Sequence, residues 1–168
     1  MSSETAMQVS CLMIPLEKYS LLVPASTTVE IYRVAISVKW CQVSAGYLSE
    51  IQWRGQWIPL LALENAGLAQ ARSTNLPMRV VVMRSVLSKT EPRIYAILSN
   101  DMPKLIAVDA HNAAPVNGPQ DAHAFASSFV SIDGELAWVP NLEKIETALT
   151  QALRQQRAQR ETESLVDV

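Results

Sequence analysis

The side chains best suited to catalysis or metal binding are two thiols, two imidazoles and two carboxylates. They belong to Cys11, Cys41, Asp109, His111, Asp121 and His123. A thiol hydrolase would place one cysteine beside one histidine and would use an aspartate to orient the imidazole. The two Asp-x-His repeats lie in or beside one polar loop and suggest a metal, but that loop offers no further fixed ligand. A small thiol- or metal-dependent β-barrel enzyme is therefore the alternative hypothesis.

A different kind of chemistry is indicated at Arg54, whose side chain can bind a partner without reacting with it. Arg54 and Gly55 lie between two apolar-rich stretches within residues 47–68, YLSEIQWRGQWIPLLALENAGL. Gly55 can take the positive φ of a tight turn, so the sequence predicts a hairpin with the guanidinium at its tip. Such a tip is a platform for contacting a partner and contains none of the parts of a catalytic site.

Composition narrows the class of partner. The chain of 168 residues is 49% hydrophobic and 18% charged, which is typical of one packed domain. Its net charge of −2 opposes nucleic-acid binding, which needs a clustered positive field. The longest near-continuous apolar run, residues 57–63, is far shorter than the ~20 residues of a membrane-spanning helix. Residues 1–10 lack the pattern of a secretory signal, so we expect a cytoplasmic protein without direct membrane insertion.

Short strand patterns follow one another along most of the chain. Apolar or alternating stretches predict strands at residues 9–14, 19–23, 48–53, 57–63, 78–86, 93–98, 104–108, 125–132 and 135–139. Residues 26–38 fit either a capped helical turn or a strand. Residues 40–46 and 111–124 are predicted to be loops, and residues 64–70 a short helix that ends near Gly67.

The period becomes helical after Pro140. Leu142, Ile145, Leu149 and Leu153 mark one face of a helix that Asn141 can cap. About ten strands in two sequential groups predict two small barrels or a sandwich. We assign one domain to residues 9–157, with the first barrel at 9–70, the second at 78–139, the helix at 141–157 and flexible termini at 1–8 and 158–168.

The order and spacing of these elements resemble the CheW-like coupling proteins of bacterial chemosensory arrays. That family carries a tyrosine in its first hairpin, a Val-x-Glu-Ile-like stretch, a Gly-Val-Ile-Asn-Leu-Arg-Gly hairpin, a Pro-Val pair and a Leu-Gly helix end. The matching residues are Tyr19, Val29-Glu30-Ile31, Ile51-Gln52-Trp53-Arg54-Gly55, Pro59-Leu60 and Gly67-Leu68. Ser49, Glu50, Gln52 and Ala62 depart from the family pattern. These departures suggest a divergent member of the family, and overall similarity favours a system serving type IV pilus (twitching) motility over a flagellar one.

The resemblance implies a mainly β fold of two five-stranded SH3-like barrels around a shared hydrophobic core, without cofactor, metal or active site. Proteins of this family bridge the cytoplasmic tip of a methyl-accepting chemoreceptor and the regulatory domain of a histidine kinase. Carried over by position, Arg54 and Glu30 match the receptor-facing surface, and Thr28 would share it by strand alternation. The guanidinium suits a receptor carboxylate or a helix-end carbonyl. The kinase would be held elsewhere, by small apolar patches at the barrel ends.

Each candidate also has an ordinary structural interpretation. Arg54 could be a solvated turn residue, and Glu30 a surface carboxylate. Trp53 and Trp57 flank the turn and complete the candidate receptor-facing set. We expect core packing for at least one of them, although interfaces also favour tryptophan. The two remaining tryptophans, Trp40 and Trp138, are assigned to the core.

Overall fold

Two curled β-sheets and a C-terminal helix make up the fold, and most strands are β-branched or apolar stretches of the sequence. This computed structural model describes residues 7–34, 40–44, 46–63, 78–87, 91–119 and 124–166. The strands are β1 (Val9–Pro15), β2 (Ser20–Pro24), β3 (Thr28–Val34), β4 (Cys41–Val43), β5 (Gly46–Trp53), β6 (Gln56–Ala62), β7 (Met78–Arg84), β8 (Ile94–Ser99), β9 (Lys104–Val108), β10 (Ala113–Val116), β11 (Ala126–Ile132) and β12 (Glu135–Pro140). A 3₁₀ turn, Ala25–Thr27, precedes β3, and helix α1 covers Leu142–Val166.

The strands divide into two sheets of six. Sheet one has the order β10-β11-β12-β2-β1-β9, and sheet two has the order β3-β7-β8-β6-β5-β4. Neighbouring strands are antiparallel except for two short parallel pairings, β2 with β12 and β6 with β8. The predicted mainly β architecture with a C-terminal helix is confirmed, with six strands in each sheet in place of the five expected.

Three hydrophobic clusters show how the sheets pack. One cluster lies within sheet one and includes Cys11 and Met13, and a second lies within sheet two and includes Ile51 and Trp53. The largest cluster draws residues from both sheets and from α1. Alternation along the strands explains this division, since successive side chains point to opposite faces. Each sheet therefore has its own interior, and both sheets share one core.

Sheet membership differs from the predicted division of the chain into residues 9–70 and 78–139. The hairpin of β1 and β2 pairs with β9 and β12, far along the chain, whereas β7 and β8 pair with β3 and β6. Sheet two is therefore one continuous stretch, β3 to β8, and sheet one combines both ends of the strand region. The alternation of apolar residues identifies a strand and its buried face, but it does not identify the strand that pairs with it. For this reason the predicted grouping of the strands into two consecutive barrels was wrong.

Two predicted loops contain strands. Residues 40–46 include β4, which pairs with β5, and residues 111–124 include β10, which pairs with β11. Both are short strands at a sheet edge, where Pro115 can lack a ladder donor without cost. The ambiguous stretch at residues 26–38 is resolved as a 3₁₀ turn followed by β3. The predicted helix at 64–70 lies outside the described residues, as do Asp121 and His123.

Helix α1 begins as predicted and continues further than predicted. The Asn141 side chain caps its start, because Oδ1 accepts a hydrogen bond from the Lys144 backbone N–H at 3.1 Å. The helix continues through residues 158–166, where the sequence contains neither glycine nor proline. The expectation of a flexible tail from residue 158 is therefore wrong as far as Val166. Among the described residues, no helix combines the length and apolar character needed to cross a membrane.

Candidate functional site

The tip of the β5–β6 hairpin is a tight two-residue turn. Trp53 pairs with Gln56, which leaves Arg54 and Gly55 as the connection. Their φ angles are 46° and 77°, so both central residues adopt the left-handed conformation that matches the twist of the flanking strands. The predicted hairpin is confirmed, and it places the Arg54 side chain at the end of sheet two with 65% of its surface exposed.

Three of the predicted site residues meet at this tip. Glu30 Oε2 accepts a hydrogen bond from Trp53 Nε1 at 2.8 Å and lies 3.3 Å from Arg54 Nη2. The guanidinium carbon of Arg54 lies 4.6 Å from the centre of the Trp53 ring, in a cation–π contact. A single carboxylate oxygen therefore holds both the indole and the guanidinium, and the cluster fixes where the arginine points.

The energies involved are small compared with the stability of a domain. An exposed ion pair contributes about 0–1 kcal/mol, and a cation–π contact at an exposed site about 0.5–1 kcal/mol. The cluster therefore contributes little to the stability of the fold. Its effect is to restrict a flexible side chain to one direction, which lowers the entropy cost of a later contact.

The prediction that Thr28 shares this surface by strand alternation is wrong. The β3–β7 register shifts between Thr28 and Glu30, which lie opposite Met83 and Val82 respectively. Directly paired residues share a face of a sheet, and Met83 and Val82 face opposite ways because they are successive. The bulge at Val29 therefore reverses Thr28 relative to Glu30. The Thr28 hydroxyl donates instead to the Ala25 carbonyl at 2.7 Å and stabilises the 3₁₀ turn.

The two tryptophans that flank the turn have different surroundings. Trp53 is 5% exposed and packs in the interior of sheet two, whereas Trp57 is 65% exposed. The expectation that at least one of them packs in the core is confirmed for Trp53. Trp40 and Trp138 are also buried, as predicted. Trp57 pairs with Gln52, so its side chain faces the side of the sheet opposite to that of Trp53, and it is exposed there.

Two residues of the enzyme alternative, Cys11 and Asp109, have surroundings that explain them without catalysis. Cys11 packs inside sheet one, and burial raises the pKa of its thiol, which opposes formation of a nucleophilic thiolate. Asp109 is held within a turn: the His111 backbone N–H donates to Oδ1 at 2.8 Å, the Gln8 side chain donates to Oδ2, and these bonds lower the pKa of the carboxyl. Within the described ranges, no three His, Cys, Asp or Glu side chains gather as a set of metal ligands.

One buried carboxylate escaped the sequence reasoning. Glu146 of α1 is 2% exposed and accepts hydrogen bonds from the Val86 backbone N–H at 2.7 Å, from the Ser85 hydroxyl and from the Tyr95 hydroxyl at 3.4 Å. A signal for it exists, because residue 146 follows Leu142 by four positions and precedes Leu149 by three, on the apolar face of the helix. The charge of the residue suggests a surface position, whereas its spacing indicates a buried group.

The Glu146 contacts connect the helix to sheet two. Helix α1 follows β12 of sheet one directly. The Glu146 carboxylate of this helix accepts a hydrogen bond from the Val86 backbone N–H, just after β7 of sheet two. Further along the helix, the Thr150 hydroxyl donates to the Glu91 backbone carbonyl at 2.8 Å. Arg160 Nη2 lies 3.8 Å from Glu50 Oε1 on strand β5. The helix therefore joins the two sheets. Through Glu50 it also contacts strand β5, which leads to the hairpin tip.

The hairpin-tip arrangement offers contacts and no reaction. Arg54 supplies N–H donors, Glu30 supplies acceptors, and the cluster contains no nucleophile beside a general base. Such a surface fits the recognition of another protein.

Comparisons with known proteins agree with this fold. The model of the CheW-like domain matches residues 10–149. The solved structure of the scaffolding protein TtCheW from Thermoanaerobacter tengcongensis is similar, with a TM-score of 0.55 and 12% sequence identity over 84% of this chain and 90% of that one. No curated protein matches the sequence significantly. The structural likeness shows a shared two-subdomain, SH3-like fold, and the family match covers most of the sequence. The chain belongs to the CheW-like domain family.

Proposed function

We propose that this protein is a non-catalytic adaptor that couples chemoreceptors to a histidine kinase in a chemotaxis-type signalling pathway. The observation that carries the proposal is the Arg54–Glu30–Trp53 cluster at the exposed hairpin tip of a CheW-like fold. Binding requires no cofactor and no metal. The protein acts in the cytoplasm, where it joins membrane receptor arrays through its partners.

The receptor side of the adaptor is the hairpin tip. Arg54 is the primary contact with the cytoplasmic tip of a methyl-accepting receptor, and Glu30 and Trp53 hold it in position. Trp57, exposed on the opposite face of the same hairpin, adds apolar area where the receptor extends around the tip, at low entropy cost because its side chain has few rotatable bonds. Thr28 has no direct part in this contact, since its hydroxyl is bound within the 3₁₀ turn.

The kinase side lies on sheet one. Leu105 of edge strand β9 is 71% exposed, and Met102 just before this strand is also exposed. Apolar side chains of this size on an edge strand are candidates for burial by a partner. The regulatory domain of the kinase, which has the same fold, would cover them. Because Arg54 belongs to sheet two and Leu105 to sheet one, the two partners use separate surfaces.

Reciprocal variants test this division. The protein is captured separately on the signalling tip of its receptor and on the regulatory domain of its kinase. Arg54→Glu should weaken the receptor contact by about tenfold or more and leave kinase binding unchanged, because the reversed charge repels the acceptor that the arginine served. Leu105→Asp should produce the opposite pattern. Arg79→Glu is the matched control, since Arg79 is paired with Asp101 and lies opposite Ser99, at the end of sheet two remote from the tip. Receptor binding that is unaffected by Arg54→Glu would contradict the site assignment.

We further propose that the pathway serves type IV pilus motility. This proposal rests on overall similarity to the coupling proteins of pilus systems, and the departures at Ser49, Glu50, Gln52 and Ala62 mark the chain as a divergent member. Deleting the gene should abolish directed twitching and leave flagellar swimming unaltered. Loss of swimming chemotaxis with normal twitching would assign the adaptor to the flagellar system.

A further inference from the structure

The Arg54–Glu30 pair presents a donor and an acceptor to the same side of the protein. Glu30 Oε2 is occupied by Trp53 Nε1 and Arg54 Nη2. Within the described part of the chain, Glu30 Oε1 accepts no hydrogen bond, and 36% of the Glu30 side chain is exposed. Arg54 pairs with Glu30 through Nη2, and among the described residues no acceptor is bound to its other N–H groups. A partner would therefore meet an N–H donor and a carboxylate acceptor together.

The charge of the pair limits which partner groups it can bind. Glu30 neutralises the guanidinium, so the tip attracts an external anion less strongly than a lone arginine would. A partner carboxylate, which carries acceptors alone, would accept from Arg54 but would also approach the free oxygen of Glu30 and be repelled. A partner ammonium, which carries donors alone, would donate to Glu30 but would be repelled by the positive charge of Arg54. Neither kind of ion satisfies both halves of the pair.

We propose that the receptor group bound at the hairpin tip is a side-chain carboxamide, from asparagine or glutamine. A carboxamide carries a carbonyl acceptor and an NH₂ donor side by side, and it is neutral. Its carbonyl accepts from Arg54 while its NH₂ donates to Glu30 Oε1. Trp53 makes this selection possible, because its indole N–H fixes the orientation of the Glu30 carboxylate. This inference rests on the proposed function and names the chemistry of its receptor contact.

Glu30→Gln distinguishes a carboxamide partner from a carboxylate partner by the sign of its effect. The carbonyl of the introduced glutamine takes the place of Oε2, accepts from Trp53 and Arg54, and leaves the introduced NH₂ at the outer position. A carboxamide partner would then lose its acceptor, so receptor affinity should fall by about tenfold. A carboxylate partner would instead gain a donor and an unneutralised guanidinium, so affinity would rise. The measurement is titration calorimetry of the full chain with the receptor signalling tip.

Glu50→Gln is the matched control. Glu50 lies on the same hairpin and is paired with Arg160, so the substitution removes an equal charge away from the tip. It should leave receptor affinity unchanged. Unaltered binding of the kinase regulatory domain shows that each variant is folded. A second test combines Glu30→Gln with alanine substitutions of single asparagines and glutamines in the receptor tip. For one of these combinations, the change in binding free energy should differ from the sum of the two single changes.

The outcomes separate this inference from the proposed function. Weaker receptor binding by Glu30→Gln, with no effect of Glu50→Gln, supports the carboxamide. Equal or tighter binding by Glu30→Gln, or equal changes in both variants, overturns it even where Arg54→Glu still weakens the contact. A wild-type protein that binds no receptor tip at all removes the proposed function, and this inference with it.

Discussion

At the scale of single residues, Arg54 combines an unusual backbone with an exposed side chain. Its φ of 46° lies in the left-handed region, which few residues other than glycine, asparagine and aspartate adopt readily. The other positive-φ non-glycine residue in the described part of the chain is Asp133, at the β11–β12 turn. An arginine at this position thus costs some backbone energy and gains a guanidinium, which argues for a role in binding.

Arg54→Asn separates the backbone of this residue from its charge. Asparagine tolerates the left-handed conformation, so the free energy of unfolding should stay the same or rise slightly, since the lost exposed ion pair contributes only about 0–1 kcal/mol. Receptor affinity should fall by about tenfold, because the short, neutral asparagine side chain cannot replace the charge and reach of the guanidinium. Thermal unfolding and calorimetric titration with the receptor tip measure the two effects. A variant with undiminished receptor affinity would show that the guanidinium is a solvated turn group.

Tyr95 gives a prediction about alkaline pH. Burial, together with the neighbouring Glu146 carboxylate, raises the pKa of its hydroxyl well above the ordinary value of 10.0. Above pH 10 the unfolded chain therefore releases this proton while the folded protein keeps it, so stability falls as the pH rises. The difference in unfolding free energy between wild type and Tyr95→Phe should shrink by about 1.4 kcal/mol per pH unit above that point. Urea denaturation at several alkaline pH values measures it, and parallel curves for the two proteins would contradict the assignment.

At the scale of elements, the Glu146 carboxylate anchors helix α1 to sheet two. Buried carboxylates that receive several hydrogen bonds are costly to alter, because the backbone donors around them are left unsatisfied. Glu146→Gln should lower the free energy of unfolding by about 2–3 kcal/mol, since an amide offers one acceptor and places an NH₂ against the Ser85–Leu87 donors. Urea denaturation provides the measurement.

Glu143→Gln is the control for this prediction. Glu143 lies in the first turn of the same helix but is exposed, so its substitution should change stability by less than about 0.5 kcal/mol. Similar effects of the two substitutions would mean that helix charge, and not the buried network, explains the loss.

The elements also show how far the sequence predicts the site. The Arg54-Gly55 turn and the apolar face of α1 follow from local patterns of residue type, and both were predicted. The bulge at Val29 has no such signal, because valine fits a regular strand equally well, and so the orientation of Thr28 was wrong. The meeting of Glu30 with Trp53 depends on two strands that are not neighbours in sheet two, which local patterns do not specify.

At the scale of the whole molecule, pairing between distant strands decides the architecture. The sequence predicts the longer strands well, since alternation and turn residues are local properties, but it misses the short edge strands β4 and β10. Which strands pair is decided by long-range packing, and here the first hairpin joins the last strands of the chain. One result is that sheet two, with Arg54, and sheet one, with Leu105, are different parts of the molecule around a single core. An adaptor needs such separation, because its two partners must bind at the same time.

Simultaneous binding is the most direct test of this account. The receptor signalling tip and the kinase regulatory domain are mixed with and without the protein, and the masses of the complexes are measured by analytical ultracentrifugation. We expect a ternary complex that requires the protein, which Arg54→Glu reduces to the kinase–adaptor pair and Leu105→Asp to the receptor–adaptor pair. Mutually exclusive binding of the two partners, or binding of neither, would contradict the account.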